Sequence, residues 1–176
     1  GYDGPDAWQT ALLRDIGLEV QARRFDGHTP VLPLRFSVAS AYGVGKTALA
    51  AWLVHWIFDT RPDSKGTVPA NTFTQLEDKT WAAVQYWARL KLTTHWCTVT
   101  ASLLYEPTAR EAWKCSPQSC REENSEAFAG QHNTASTSYY IFDEGSAVPD
   151  GIYNGAEGGL TDGEPMIFIF GNPTRR

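Results

Sequence analysis

Ser40, Ala41, Tyr42, Gly43, Val44, Gly45, Lys46 and Thr47 form one unbroken run. A lysine and a hydroxyl directly behind spaced glycines can hold a polyphosphate. The glycines let the backbone curl so that successive N–H groups point inward, and a following helix adds the partial positive charge of its N-terminus. In such a cradle the Lys46 ammonium reaches the β- and γ-phosphates of a nucleotide and the Thr47 hydroxyl ligates Mg²⁺. The flanks agree. Leu34-Arg35-Phe36-Ser37-Val38-Ala39 alternates as a strand does, and Ala48-Leu49-Ala50-Ala51-Trp52-Leu53-Val54 has high helix propensity. Ser40 stands where this pattern normally has glycine, and a plain glycine turn before a helix is the competing reading.

Binding phosphate is not hydrolysis, which needs an acid on the metal side and a group that orients water. Asp143-Glu144 follows the apolar run Ser138-Tyr139-Tyr140-Ile141-Phe142. In a parallel sheet, ligands sit beyond the carboxyl ends of the strands, so the two acids arrive beside the phosphate loop. Asp143 is the candidate for Mg²⁺ and Glu144 for the attacking water. Gly171-Asn172-Pro173-Thr174 closes a second apolar run, Met166-Ile167-Phe168-Ile169-Phe170. Asn172 can bond a γ-phosphate or the lytic water, and the same four residues also make a good turn. Near the N-terminus, the Gln9 amide matches the N6–N7 edge of adenine, and Trp8 beside it can pack on a base or into the core. Alone, Gln9 is also an ordinary polar helix residue.

The elements that must position these groups alternate. Residues 6–16 carry apolar side chains at helical spacing, with Asp6 in the first turn, which predicts a short amphipathic helix. A strand then enters the glycine loop, and a helix runs on to about Phe58. The turn cluster Arg61-Pro62-Asp63-Ser64-Lys65-Gly66 precedes a strand over 67–71, where Pro69 indicates an edge or a strand end. Leu76, Trp81, Val84, Trp87 and Leu90 recur on one face of a helix over 73–92. Strands are expected at 96–100 and 111–114, and at the two apolar runs, with a short helix over 152–157 between those runs. Residues 116–138 are polar and carry little pattern. Strands alternating with helices predict an α/β fold, a central and mainly parallel sheet flanked by helices on both faces.

The 176 residues suit one domain, and a net charge of −5 gives no general basic field for nucleic acid, so any DNA grip has to be local. No apolar run approaches a membrane span and no signal peptide is evident, so the chain reads as soluble and intracellular. Cys97, Cys115 and Cys120 make an odd count, which argues for reduced thiols. The spacing of Cys115 and Cys120 is used by some zinc sites, but no second close pair accompanies it.

Trp8-Gln9, Gly43-Val44-Gly45-Lys46-Thr47, Ile141-Phe142-Asp143-Glu144 and Gly171-Asn172-Pro173-Thr174, in this order and spacing, resemble the N-terminal ATPase domain of the large terminase subunit of tailed bacteriophages and prophages. The resemblance extends over nearly all of residues 1–176. It implies a P-loop NTPase fold and an ATP- and Mg²⁺-dependent motor that drives double-stranded DNA into a procapsid. It also implies a homo-oligomeric ring, a portal protein and a small terminase subunit as partners, no membrane, and the cytoplasm of an infected or lysogenic bacterial host. Carried over by residue, Gln9 reads adenine, residues 40–47 hold the phosphates, Thr47 and Asp143 serve the metal, Glu144 is the catalytic glutamate and Asn172 lies in the coupling motif. Many terminases have a basic residue inside the loop where Ala41-Tyr42 stand here. An arginine finger is therefore sought in a neighbouring subunit, with Arg61, Arg110, Arg121 and Arg175 as candidates. The nuclease domain typical of the family is expected to be absent from these residues. Another DNA-translocating or helicase-like ATPase, and a nucleotide-binding module without turnover, remain alternatives at this point.

Overall fold

The computed structural model describes residues 4–70, 76–120, 128 and 130–173. Helix α1 (Ala7–Arg23) precedes strand β1 (Leu34–Ala39), which leads through the glycine loop into α2 (Lys46–Thr60). Strand β2 (Lys65–Ala70) is followed by a π-helical segment (Leu76–Trp81) that continues directly into α3 (Ala82–Leu90). Short strands β3 (Thr98–Val99) and β4 (Leu104–Tyr105) lead to β5 (Lys114–Ser119) and β6 (Ser138–Phe142). Helix α4 (Asp150–Gly158) and β7 (Met166–Gly171) complete the order.

Among the described residues the strands form one seven-stranded sheet ordered β1-β7-β6-β2-β5-β4-β3. The β1–β7, β7–β6, β6–β2 and β2–β5 pairs are parallel, while β4 runs antiparallel to both β5 and β3. Successive side chains in a strand point to opposite faces. On β6, Tyr139 and Ile141 therefore join Phe168, Phe170, Val68 and the inner face of α2 in one core, while Tyr140 and Phe142 join Ile167, Ile152 and Ala156 in the other. All five β6 residues are buried, as expected for a strand covered by helices on both sides. Helix α2 is apolar around most of its circumference because it lies between the sheet and α3. Trp52 of α2 meets Trp87 of α3 edge to face, with ring centroids 5.2 Å apart.

Several expectations change. Of the two positions expected for Pro69, it takes the strand end, one residue before Ala70, and not an edge strand, since β2 pairs with β5 over its whole length and with β6 over Lys65–Thr67. The Lys65 N–H points to Thr137 on the β6 side. By the two-residue alternation the Pro69 nitrogen faces the same side, past the last β6 pair, so its missing N–H costs the ladder nothing. The strand expected at 111–114 begins only at Lys114 and runs on to Ser119 in the polar stretch; Cys115 is its one fully buried residue. Of 96–100, only Thr98–Val99 is strand, and Trp96 belongs to a 3₁₀ turn. Helix α1 is longer than expected and reaches Arg23. The start of the helix expected over 73–92 lies outside the described residues up to 75. Within α3, Leu90 lies six residues past Val84, about 240° further round the helix, so Val84 and Ala88 are buried and Leu90, assigned to the apolar face, is 56% exposed.

Candidate nucleotide site

The sheet order makes the site. Ser40 follows β1, Asn172 follows β7 and Asp143 follows β6, and these three strands are neighbours and parallel. Their carboxyl ends thus bring three distant segments to one rim, with Asn172 between the loop and the acids. Tyr42, Gly43, Gly45, Lys46, Thr47, Asp143, Glu144 and Asn172 line a cleft of about 160 Å³ there.

Gly43 and Gly45 have φ of 76° and 85°, in the left-handed region that glycine enters without a Cβ penalty. Gly45 is the cap of α2, and Lys46 and Thr47 open the helix. The Lys46 side chain folds back along the loop. Its Nζ donates to the carbonyl oxygens of Ser40 at 2.9 Å and Ala41 at 2.6 Å, and to Asn172 Oδ1 at 2.8 Å. Three acceptors satisfy an ammonium that is only 8% exposed.

Asp143 is buried, and its Oδ2 accepts two hydroxyl hydrogen bonds, from Thr47 Oγ1 and from Thr80 Oγ1, each 2.8 Å. Two donors on one oxygen fix the orientation of the carboxylate plane. Glu144 has φ 62° and ψ 40°, a left-handed conformation unusual for a residue with a long side chain. Conformations of this sort cluster at functional sites. Its Oε1 lies 3.4 Å from Lys79 Nζ across a solvent-exposed gap. Behind it, Tyr153 Oη donates to the Gly145 carbonyl at 2.6 Å, tying the end of β6 to α4.

Gln9 and Trp8 approach the loop from behind. Trp8 Nε1 donates to the Val44 carbonyl at 3.2 Å, and its ring packs against the core. Gln9 is buried; its Nε2 donates to the Gly45 carbonyl at 3.1 Å and its Oε1 accepts from the Asp6 N–H at 2.8 Å. The first turn of α1 therefore clamps two loop carbonyls.

Among the finger candidates, Arg61 is not the exposed residue that the sequence suggested. It forms a two-pronged pair with the buried Glu164, at 3.0 and 3.1 Å, with its guanidinium over the Trp56 ring. Arg61 also lies just past the C-terminus of α2, the end remote from Lys46. Arg110 is exposed and stacks over Tyr105. Arg121 and Arg175, like Thr174 of the last motif, lie outside the described residues.

Cys115 and Cys120 belong to the two different cores, on opposite faces of the sheet. Burial pushes both thiols up to about 12, the opposite of what a metal thiolate requires. Thr80 and Lys79 were not found from sequence. They lie on the polar side of a helical pattern, and nothing in their types or spacing distinguishes them from solvated helix residues. No helix among the described residues is long and apolar enough to cross a membrane.

No protein-family model matches the chain. Over 144 residues, covering 79% of this chain, it is 29% identical to a probable terminase large subunit of Enterobacteria phage P7. The chain spans only 29% of that relative's length. Its fold matches the solved large terminase of the thermophilic bacteriophage D6E with a TM-score of 0.59 at 16% identity, over 78% of this chain and 34% of that one. The chain thus has the P-loop NTPase fold, and in sequence it is similar to phage terminase large subunits.

Proposed function

We propose that this chain is the ATP-hydrolysing part, residues 1–176, of a terminase large subunit that powers movement of double-stranded DNA into a procapsid. The observation that carries the reading is the 2.8 Å bond from Thr47 Oγ1 to Asp143 Oδ2, between residues 96 positions apart. A hydroxyl at the helix that follows a glycine loop meets a carboxylate at the end of the core strand two places away in the sheet. Both are hard oxygen donors, beside a buried lysine, and this donor set fits Mg²⁺ carried on a triphosphate.

Thr47 and Asp143 hold the metal in this reading. When bound, it neutralises charge on the β- and γ-phosphate oxygens. The chain supplies the rest. Lys46 exchanges its loop carbonyl partners for phosphate oxygens, and the N–H groups of residues 43–47 orient the polyphosphate. Glu144 orients a water molecule for in-line attack and takes its proton. Asn172 contacts both Lys46 and the γ-phosphate, so it registers loss of that phosphate. Gln9 recognises adenine by giving up its present partners. A neighbouring copy in a ring supplies the arginine finger, with the portal protein and the small terminase subunit as further partners in the cytoplasm of an infected or lysogenic bacterium.

Phosphate release from ATP with and without Mg²⁺ tests this reading. Lys46→Ala is expected to abolish release while leaving the fold intact by circular dichroism. Unchanged release would remove the loop from the mechanism. Activity of the chain without its ring is expected to be low, because an absent finger lowers the rate by about 10³–10⁵.

A further inference from the structure

We infer that Thr80 is a positioning residue for Asp143: its hydroxyl aligns the carboxylate for the metal from a helical segment outside the residues that line the cleft. The inference rests on the ATPase reading above. Thr80 is 3% exposed, and its Oγ1 donates to Asp143 Oδ2 at 2.8 Å. A threonine within a helix usually turns its hydroxyl to a carbonyl of the preceding turn. Here it goes 63 positions along the chain to a carboxylate instead.

The surroundings of Thr80 are built to hold it there. The next residue, Trp81, is 1% exposed, and its Nε1 donates to the Thr100 carbonyl at 2.8 Å. Gln85 Nε2 donates to the same carbonyl at 3.0 Å. These two bonds pin the junction between the π-helical segment and α3, and the wide turn presents Lys79 to Glu144 and Thr80 to Asp143, consecutive residues to consecutive acids.

The consequence concerns the metal. Both hydroxyls converge on Oδ2, so Oδ1 takes no hydrogen bond among the described residues and is the oxygen left for a cation or its water. Thr47 has a second task at the metal. Thr80 has none, so it holds the carboxylate plane whether or not the metal is bound. Removing one charge-assisted bond to the carboxylate corresponds to roughly tenfold in an equilibrium that depends on its orientation.

The test is Mn²⁺ binding to this chain in the presence of ADP, read by electron paramagnetic resonance, with the metal-free affinity for ADP measured alongside. Thr80→Val is expected to raise the Mn²⁺ dissociation constant about tenfold and leave metal-free ADP affinity unchanged, while Thr80→Ser retains the unsubstituted value. Unchanged Mn²⁺ affinity in Thr80→Val, or an equal loss in Thr80→Ser, overturns the inference. If Thr80→Val does not fold, Thr80→Ala against Thr80→Ser decides in the same way. Asp143→Asn separates the two levels. If it too leaves Mn²⁺ affinity unchanged, the metal site itself is misassigned; if it weakens Mn²⁺ and Thr80→Val does not, only the role of Thr80 falls.

Discussion

Lys46 Nζ lies 2.8 Å from Asn172 Oδ1, so the lysine of the glycine loop is bonded to the residue that ends the adjacent strand, 126 positions later. The link depends on β7 lying between β1 and β6. It gives the last strand a direct hold on the group that would face the phosphates.

Asn172→Ala should therefore separate binding from turnover. Lys46 and the N–H groups of residues 43–47 would still hold the polyphosphate, so nucleotide affinity should change little. Single-turnover phosphate release should fall by about 10²-fold, the order seen when one positioned polar group is removed from a charged transition state. Fluorescent-nucleotide titration and rapid quench measure the two quantities.

At Gln9 the question is base selectivity. A bidentate amide–adenine contact discriminates by about 1–3 kcal/mol. Gln9→Ala should weaken ATP about tenfold and GTP far less, as read by competition against a fluorescent nucleotide. Equal losses for both would mean that Gln9 acts only through its bonds to Gly45 and Asp6.

His55 sets a pH dependence of stability. Its Nε2 bonds the Val84 carbonyl at 2.8 Å, while its buried Nδ1 has no partner among the described residues. Burial lowers its pKa from 6.5 to about 4, with a smaller lowering from Lys91 and opposing contributions from the Val84 bond and Asp59. Between those values the unfolded chain takes up a proton that the folded chain refuses, so stability is complete above about pH 6.5 and is lost as pH falls toward 4. Urea unfolding should show about 2 kcal/mol less stability from this group at pH 5 than at pH 7.5. His55→Gln should flatten the difference.

The residues that meet at the candidate site were more legible than the sheet that carries them. Residues 40–47 and Asp143-Glu144 announce themselves because glycine, lysine, hydroxyl and acid types are restricted by chemistry at fixed offsets. Strands β6 and β7 were equally readable, since burial on both faces leaves an unbroken apolar run. Strand β5 was not, because Lys114, Ser116, Gln118 and Ser119 are only partly covered and its pairing with β2 is made by backbone. Leu90 was misassigned because it stands about 240° round α3 from Val84, off the face that Val84 and Ala88 bury. Arg61 looked free for want of Glu164, its partner 103 positions away. Thr80 was invisible for the same reason: its importance lies wholly in what the fold sets against it.

In the proposed mechanism Glu144 activates water at a nucleotide held by the loop. The most direct test is Glu144→Gln, with ATP binding and phosphate release measured on the same preparation. We expect ATP affinity to be retained, because Lys46, Thr47 and Asp143 are untouched, and release to fall by about 10²–10⁴-fold, the usual contribution of a positioned general base. Phosphate release at the unsubstituted rate from Glu144→Gln would remove Glu144 from the hydrolysis step.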